Sequence, residues 1–144
     1  MNVSTSRNGR REVSNRRVLV VEDAFATRRL VELSLTIEGF EVVEREDGPS
    51  GLEAAMTLIP DLIVLDIALP GMDGWKLLSH IRADPKTEHI PVLVITAHDT
   101  AETRTKADHS LADGFLGKPF DLDQLRNEVN KLIGSREPHI TQVG

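Results

Sequence analysis

The chain reads as an α/β protein with a central parallel sheet covered by helices on both faces. Three observations predict this. Continuous aliphatic runs recur at Val18-Leu19-Val20-Val21, Leu62-Ile63-Val64-Leu65 and Val92-Leu93-Val94-Ile95. Each is too short for an isolated helix and apolar throughout, as in a strand buried on both faces of a parallel sheet. Stretches with apolar residues at helical spacing separate the runs, so strand and helix alternate five times, the pattern of right-handed crossovers. The 144 residues, 40% of them apolar, suffice for one domain with its own core and leave no room for a second.

The elements follow in order. Val18–Val21 ends in two carboxylates, Glu22 and Asp23. Phe25–Glu38 is predicted helical, with Leu30, Leu33 and Ile37 at helical spacing and Gly39 as its stop. Phe40–Arg45 alternates apolar and polar residues, which suits a strand nearer the edge of the sheet. Gly48-Pro49 opens a helix carrying Leu52, Ala55 and Met56, with proline where its missing N–H does no harm. Pro60 closes that helix before the strand that ends at Asp66, and a Pro/Gly/Asp loop follows up to Gly74. Trp75–Ala83 is helical with Leu77, Leu78 and Ile81 inward, and Pro91 precedes the strand that ends at Thr96-Ala97. Asp99–Leu111 is assigned as a helix with only scattered alanines and Leu111 for an apolar stripe. Phe115-Leu116 is a short strand leading to Lys118-Pro119. Asp121 with Gln124 three residues on forms a capping box, and Leu122, Leu125, Val129 and Leu132 give the last helix its buried face up to Gly134.

Residues 1–16 carry Arg7, Arg10, Arg11 and Arg16 among Ser, Asn and Gly, too little apolar surface to offset chain entropy, and are expected to be a disordered basic tail. A basic arm for an acidic partner or nucleic acid is a second reading, set behind a solvated tail, and Glu12 and the missing amphipathic pattern weaken a transit-peptide reading. The domain proper is expected over 17–134, with 135–144 a flexible tail. A net charge of -6 disfavours nucleic-acid binding, and the absence of cysteine excludes disulfides and thiolate chemistry. No apolar run approaches the ~18 residues of a membrane span, so a cytoplasmic setting is the expectation. The five histidines lack metal-ligand spacing, although His98 lies two residues past Thr96. Gly71-Met72-Asp73-Gly74 has the spacing of a nucleic-acid-binding GXXG loop, but its acidic middle would repel phosphates.

Chemistry is expected where the strands end. Asp66 by itself reads equally well as a turn cap. Yet Glu22-Asp23, Asp66, Thr96 and Lys118 all stand at strand ends, and in a parallel sheet those ends share one edge. Three carboxylates gathered there repel one another unless positive charge sits among them. Mg²⁺ meets that need, since it takes oxygen ligands and keeps several waters beside one or two carboxylates. Lys118 adds a fixed positive charge and Thr96 a hydroxyl, which together suit a phosphoryl group arriving on a carboxylate.

In these residues the chain resembles a response-regulator receiver domain of two-component signalling, of the stand-alone single-domain type. The resemblance covers about Arg17 to Gly134. It rests on Glu22-Asp23, on Asp66 with the Pro70–Gly74 loop, on Thr96-Ala97 and on Lys118-Pro119-Phe120. It implies a flavodoxin-like, doubly wound five-stranded sheet of order 2-1-3-4-5. It implies Asp66 as phosphoacceptor, with Mg²⁺ held by Asp23, by Glu22 directly or through water, by Asp66 and by the backbone carbonyl of Ala68. Lys118 would contact the phosphoryl oxygens, Thr96 would move toward them, Ala97 would leave them room, and Phe115 would swing inward behind the threonine. The family also favours a cis peptide between Lys118 and Pro119. Implied partners are a histidine kinase or histidine phosphotransfer protein and a separate effector protein. The effector would read a face built from Asp99–Leu111, Phe115–Gly117 and Asp121–Ile133. The chain departs from the family at Glu22, often aspartate, at Leu69, often methionine, and at Leu111-Ala112, often Gly-Ala. Phe115 also lacks the hydroxyl of the tyrosine in some relatives. Two other readings are a phosphatase with an aspartate nucleophile and a docking domain without phosphorylation. Ala68 stands where such phosphatases place their second aspartate, which argues against the first; intact Asp66, Thr96 and Lys118 argue against the second.

Overall fold

The computed structural model describes residues 16–97, 105 and 111–134. Each aliphatic run forms a strand, and the strands are β1 (Arg17–Val21), β2 (Glu41–Arg45), β3 (Leu62–Asp66), β4 (Val92–Thr96) and β5 (Gly114–Gly117). They make one sheet in the order β2-β1-β3-β4-β5, every pairing parallel. Among the described residues the helices are α1 (Phe25–Ile37), α2 (Gly48–Leu58), α3 (Gly74–Ala83) and α4 (Leu122–Gly134). The expected fold class and strand order are therefore observed, with the alternating segment β2 at the sheet's edge. No helix among the described residues is long and apolar enough to cross a membrane.

Side chains alternate across the sheet with period two, so each strand feeds two cores. Val18, Val20, Leu62, Val64, Leu93 and Ile95 pack with Val31 and Leu35 of α1 and with Leu125 and Val129 of α4. Leu19, Val21, Ile63, Leu65, Val92 and Val94 pack on the other face with Ala54 and Ala55 of α2 and with Leu77, Leu78 and Ile81 of α3. All five residues of β3 are buried, the four aliphatic ones as their unbroken run predicts.

The inner face of α1 is not the Leu30, Leu33 and Ile37 stripe that marks it as a helix in the sequence. Val31, Ser34 and Leu35 are its buried residues, whereas Leu30, Leu33 and Ile37 are exposed. The helix carries two apolar stripes at similar spacing, and β-branched Val31 with Leu35 is the pair turned to the sheet. Leu122, in the first turn of α4, is also exposed, whereas Leu125, Val129 and Leu132 are buried as expected. In α2, Ala55 is buried, while Leu52 and Met56 are only half-buried.

Local signals explain the boundaries. Gly39 ends α1 at φ 101, and Asp47 caps α2 by accepting from the Ser50 amide at 2.8 Å. The Asp121 and Gln124 box is reciprocal: each side chain accepts from the other's amide, at 2.8 and 2.9 Å. Leu111 is left-handed at φ 72, a conformation that costs a side-chain-bearing residue roughly 1–2 kcal/mol. Arg82 of α3 braces this connection, donating to the Leu111 carbonyl at 3.0 Å and to Asp113 at 2.7 Å. The assignments for the 1–15 and 135–144 tails, for the helix before Leu111 and for His98 lie outside the described residues, apart from Thr105, which is helical.

Candidate functional site

Asp66 is the last residue of β3 and is buried at the carboxyl edge of the sheet. Its Oδ1 accepts the Ala68 amide at 3.0 Å, so the aspartate does close a local turn. Its Oδ2 accepts from Lys118 Nζ at 3.0 Å, and the turn is therefore not its only role. The chain returns to α3 through a tight crossing in which the Gly74 amide donates to the Ile67 carbonyl at 3.0 Å. A Cβ on Gly74 would stand 2.3 Å from Ile67 Cα and 2.9 Å from the Asp66 carbonyl oxygen, so only glycine fits. Asp73 caps α3 by accepting from the Trp75 amide at 2.8 Å.

The acidic pair arrives from the neighbouring strand. Glu22 is fully buried; its Oε2 accepts the Ala24 amide at 3.0 Å and its Oε1 lies 2.7 Å from Lys118 Nζ. That second contact is an ion pair by distance but not a directed hydrogen bond, and Oε1 has no hydrogen-bond partner. Asp23 is exposed, and one oxygen from each of Glu22, Asp23 and Asp66 falls within 4.8 Å of the others. Burial pushes the Glu22 carboxyl up to about 7 against the opposing pull of Lys118, and the Asp66 charge adds to the rise. Burial works against the Lys118 ammonium, but its close pairing with the Glu22 and Asp66 carboxylates outweighs this and raises its pKa.

With all four groups ionised, three carboxylates and one ammonium leave two negative charges unbalanced at a partly buried point. Oxygen donors at that spacing, a buried carboxylate oxygen that no hydrogen bond satisfies and an exposed third acid fit a hard divalent cation that keeps part of its water shell.

The remaining expected residues stand on β4 and β5 and just past their ends. Thr96 ends β4 and is buried, and its carbonyl accepts the Lys118 amide at 2.7 Å, tying the ends of β4 and β5 together. Phe115 pairs in register with Val94, which puts it on the sheet face that Thr96 shares by period-two alternation. It is half-buried against the core beneath α2 and α3. Ala97 and Lys118 line a cleft of about 290 Å³ with Thr27, Leu30, Pro119 and Phe120. The Lys118–Pro119 peptide is cis.

Sequence reasoning did not single out Arg28. From the first turn of α1 its Nη1 donates to the carbonyl of Glu22 at 2.9 Å and reaches that of Asp23 at 3.5 Å. Its Nε donates to Glu44 of β2 at 3.2 Å, and the guanidinium lies 5.5 Å from the Phe25 ring centroid. The only local signal was a basic residue one turn into the helix that follows two acids.

The sheet order and this cluster define a class, and the family comparison agrees: the response regulator receiver domain matches residues 18–130, and the chain belongs to that family. Among curated proteins it is similar to the response regulator PleD of Caulobacter vibrioides, 46% identical over 116 residues. That alignment covers 81% of this chain and 26% of PleD, so the chain spans about a quarter of that relative's length. A solved receiver domain of a Francisella response regulator superposes with a TM-score of 0.79 at 29% identity, covering 85% of this chain and all of the other. The receiver domain of a sensor histidine kinase from Pseudomonas aeruginosa superposes with a TM-score of 0.78 at 27% identity, covering 83% of this chain and 98% of the other. Its structure has a magnesium ion coordinated in the active-site cleft.

Proposed function

We propose that the domain is a phosphorylation switch that takes a phosphoryl group from a phosphohistidine onto Asp66. The donor is a histidine kinase or a histidine phosphotransfer protein, and a separate effector protein reads the result. In the transfer, the P–N bond to imidazole breaks as a carboxylate oxygen of Asp66 forms the new P–O bond, and the imidazole keeps the electron pair. The observation that carries this reading is the environment of Asp66: a buried carboxylate with Lys118 Nζ at 3.0 Å and two further carboxylates gathered beside it.

Glu22, Asp23, Asp66 and the Ala68 carbonyl would hold Mg²⁺, which when bound neutralises charge on the phosphoryl oxygens. Lys118, already paired with Asp66, is placed to follow the phosphoryl oxygens once the carboxylate becomes an acyl phosphate. Ala68 stands where a phosphatase with an aspartate nucleophile carries its second aspartate, which favours a domain that modifies only itself over an enzyme that turns over an external substrate. The new charge draws the Thr96 hydroxyl inward, and Phe115, on the same sheet face, follows into the space released. The face containing β5 and α4 changes with it.

The test is intact-mass measurement after incubation with acetyl phosphate and Mg²⁺. Wild type gains one phosphoryl group, and Asp66→Asn, nearly isosteric, gains none while keeping its fold. An adduct on the asparagine variant at the wild-type rate would remove Asp66 as the acceptor.

A further inference from the structure

The Glu22-Asp23 pair stands at the mouth of the sheet, where a strand gives way to a helix and the backbone would be free to vary. It is held instead from β2, a strand that contributes no acid to the cluster. The Glu22 amide donates to the Arg45 carbonyl at 3.0 Å, fixing one side of the residue. The other side is fixed through Arg28. Its guanidinium is anchored at 3.2 Å to the Glu44 carboxylate and reaches the Glu22 carbonyl at 2.9 Å and the Asp23 carbonyl at 3.5 Å. The side chain is only 12% exposed, and its partner Glu44 is 27% exposed. Glu44 also receives Arg29 at 3.4 Å, which limits its own freedom. A planar cation committed in this way neither balances the acid cluster nor touches a carboxylate of it. It sets the peptide planes from which those carboxylates project.

We propose that Arg28 is a positioning residue of the cation site, fixing the spread of the Glu22 and Asp23 oxygens at the tight geometry that Mg²⁺ requires. The inference rests on the Mg²⁺ reading above. Mg²⁺ demands near-ideal octahedral geometry, whereas Ca²⁺ accepts longer and more variable contacts. Loosening the pair therefore penalises Mg²⁺ more than Ca²⁺, while mere loss of stability or of charge penalises both alike. Lysine at this position keeps the charge and much of the stem but loses the fork that spans Glu44 and two carbonyls.

The experiment titrates the full chain with Mg²⁺ alone and with Ca²⁺ alone by calorimetry, for wild type, Arg28→Lys and Glu44→Gln. Amide hydrogen exchange at Asp23 and Ala24 is followed without metal. Loss of an outer partner of a metal ligand costs about 10–100-fold in affinity, and Arg28→Lys is expected to lose about tenfold for Mg²⁺ with a clearly smaller loss for Ca²⁺. Glu44→Gln, which leaves Arg28 in place but releases its anchor, shows a smaller loss in the same sense. Exchange at Asp23 and Ala24 speeds up in both variants. Equal losses for the two cations, or unchanged Mg²⁺ affinity in both variants, overturn the proposal. Wild type failing to bind Mg²⁺ overturns the cation reading itself. In that case unchanged amide exchange in the variants shows separately that Arg28 does not hold the pair.

Discussion

Replacing Gly74 with alanine should disable the site from outside it. The added Cβ would lie 2.3 Å from Ile67 Cα and 2.9 Å from both the Asp66 and Ile67 carbonyl oxygens. All three neighbours are backbone, so no side chain can turn aside. Ordinary contact begins at 3.4 Å, and reaching it requires a displacement of about 1 Å in the peptides that follow Asp66. Those peptides carry the Ala68 amide that holds Asp66 Oδ1 at 3.0 Å. Two effects follow. Overpacking costs about 1–3 kcal/mol, which lowers the melting temperature by roughly 4–15 °C in a domain of this size. A misplacement of about 1 Å at a reacting group costs on the order of 100-fold in rate. Thermal melts and the initial rate of phosphorylation by acetyl phosphate, measured below the melting temperature, test both. An alanine variant that melts like wild type and is phosphorylated at the same rate would show that the crossing is not tight. A variant that is destabilised but fully active would show that the crossing supports the fold without placing Asp66.

Three further outcomes are expected. The Glu22 carboxyl, raised from 4.5 to about 7 by burial, binds a proton more tightly in the folded protein than in the unfolded one. Its contribution is therefore fully present below pH 4.5 and lost as pH rises to about 7, on the order of 3 kcal/mol in total. Urea unfolding of metal-free wild type and Glu22→Gln at pH 5 and pH 8 reads this; a difference between the two proteins that does not change with pH rules it out. Asp23→Ala should weaken Mg²⁺-dependent thermal stabilisation while raising the melting temperature without metal, because one of three crowded charges is gone. Equal Mg²⁺ stabilisation in both proteins takes Asp23 out of the site. Thr96→Ala should still accept a phosphoryl group on Asp66 but show reduced NMR shifts in Gly114–Gly117 on adding beryllofluoride. The full wild-type shift pattern in that variant would disprove the threonine–aromatic route.

What could be read from the sequence was whatever local pattern encodes. Leu62–Leu65 is apolar at every position because both faces of β3 are covered, and that requirement leaves a direct trace. The placement of Glu22, Asp23, Asp66, Thr96 and Lys118 on one edge followed from parallel topology alone. The Asp121 and Gln124 box was legible because both partners lie within one turn. The inner face of α1 was not, since Leu30, Leu33 and Ile37 have the same kind of spacing as Val31 and Leu35, and spacing does not say which stripe meets the sheet. Arg28 with Glu44, and Arg82 with Asp113, escaped for another reason. Sixteen and thirty-one residues separate the partners, and no local pattern marks which of many surface charges will meet.

The direction of the chain has a practical consequence for attachment. β1 enters the sheet at Arg17, at the end remote from Asp66, because all strands run parallel and Asp66 lies at their carboxyl edge. α4 runs back the opposite way: Leu132, near its end, comes within 3.3 Å of a Cβ placed on Gly114, the first residue of β5. Residues 16 and 134 thus both lie toward the rim opposite the pocket. A fluorophore, an affinity tag or a fused domain joined at either point is tethered away from the mouth of the cleft, leaving access to Asp66 open.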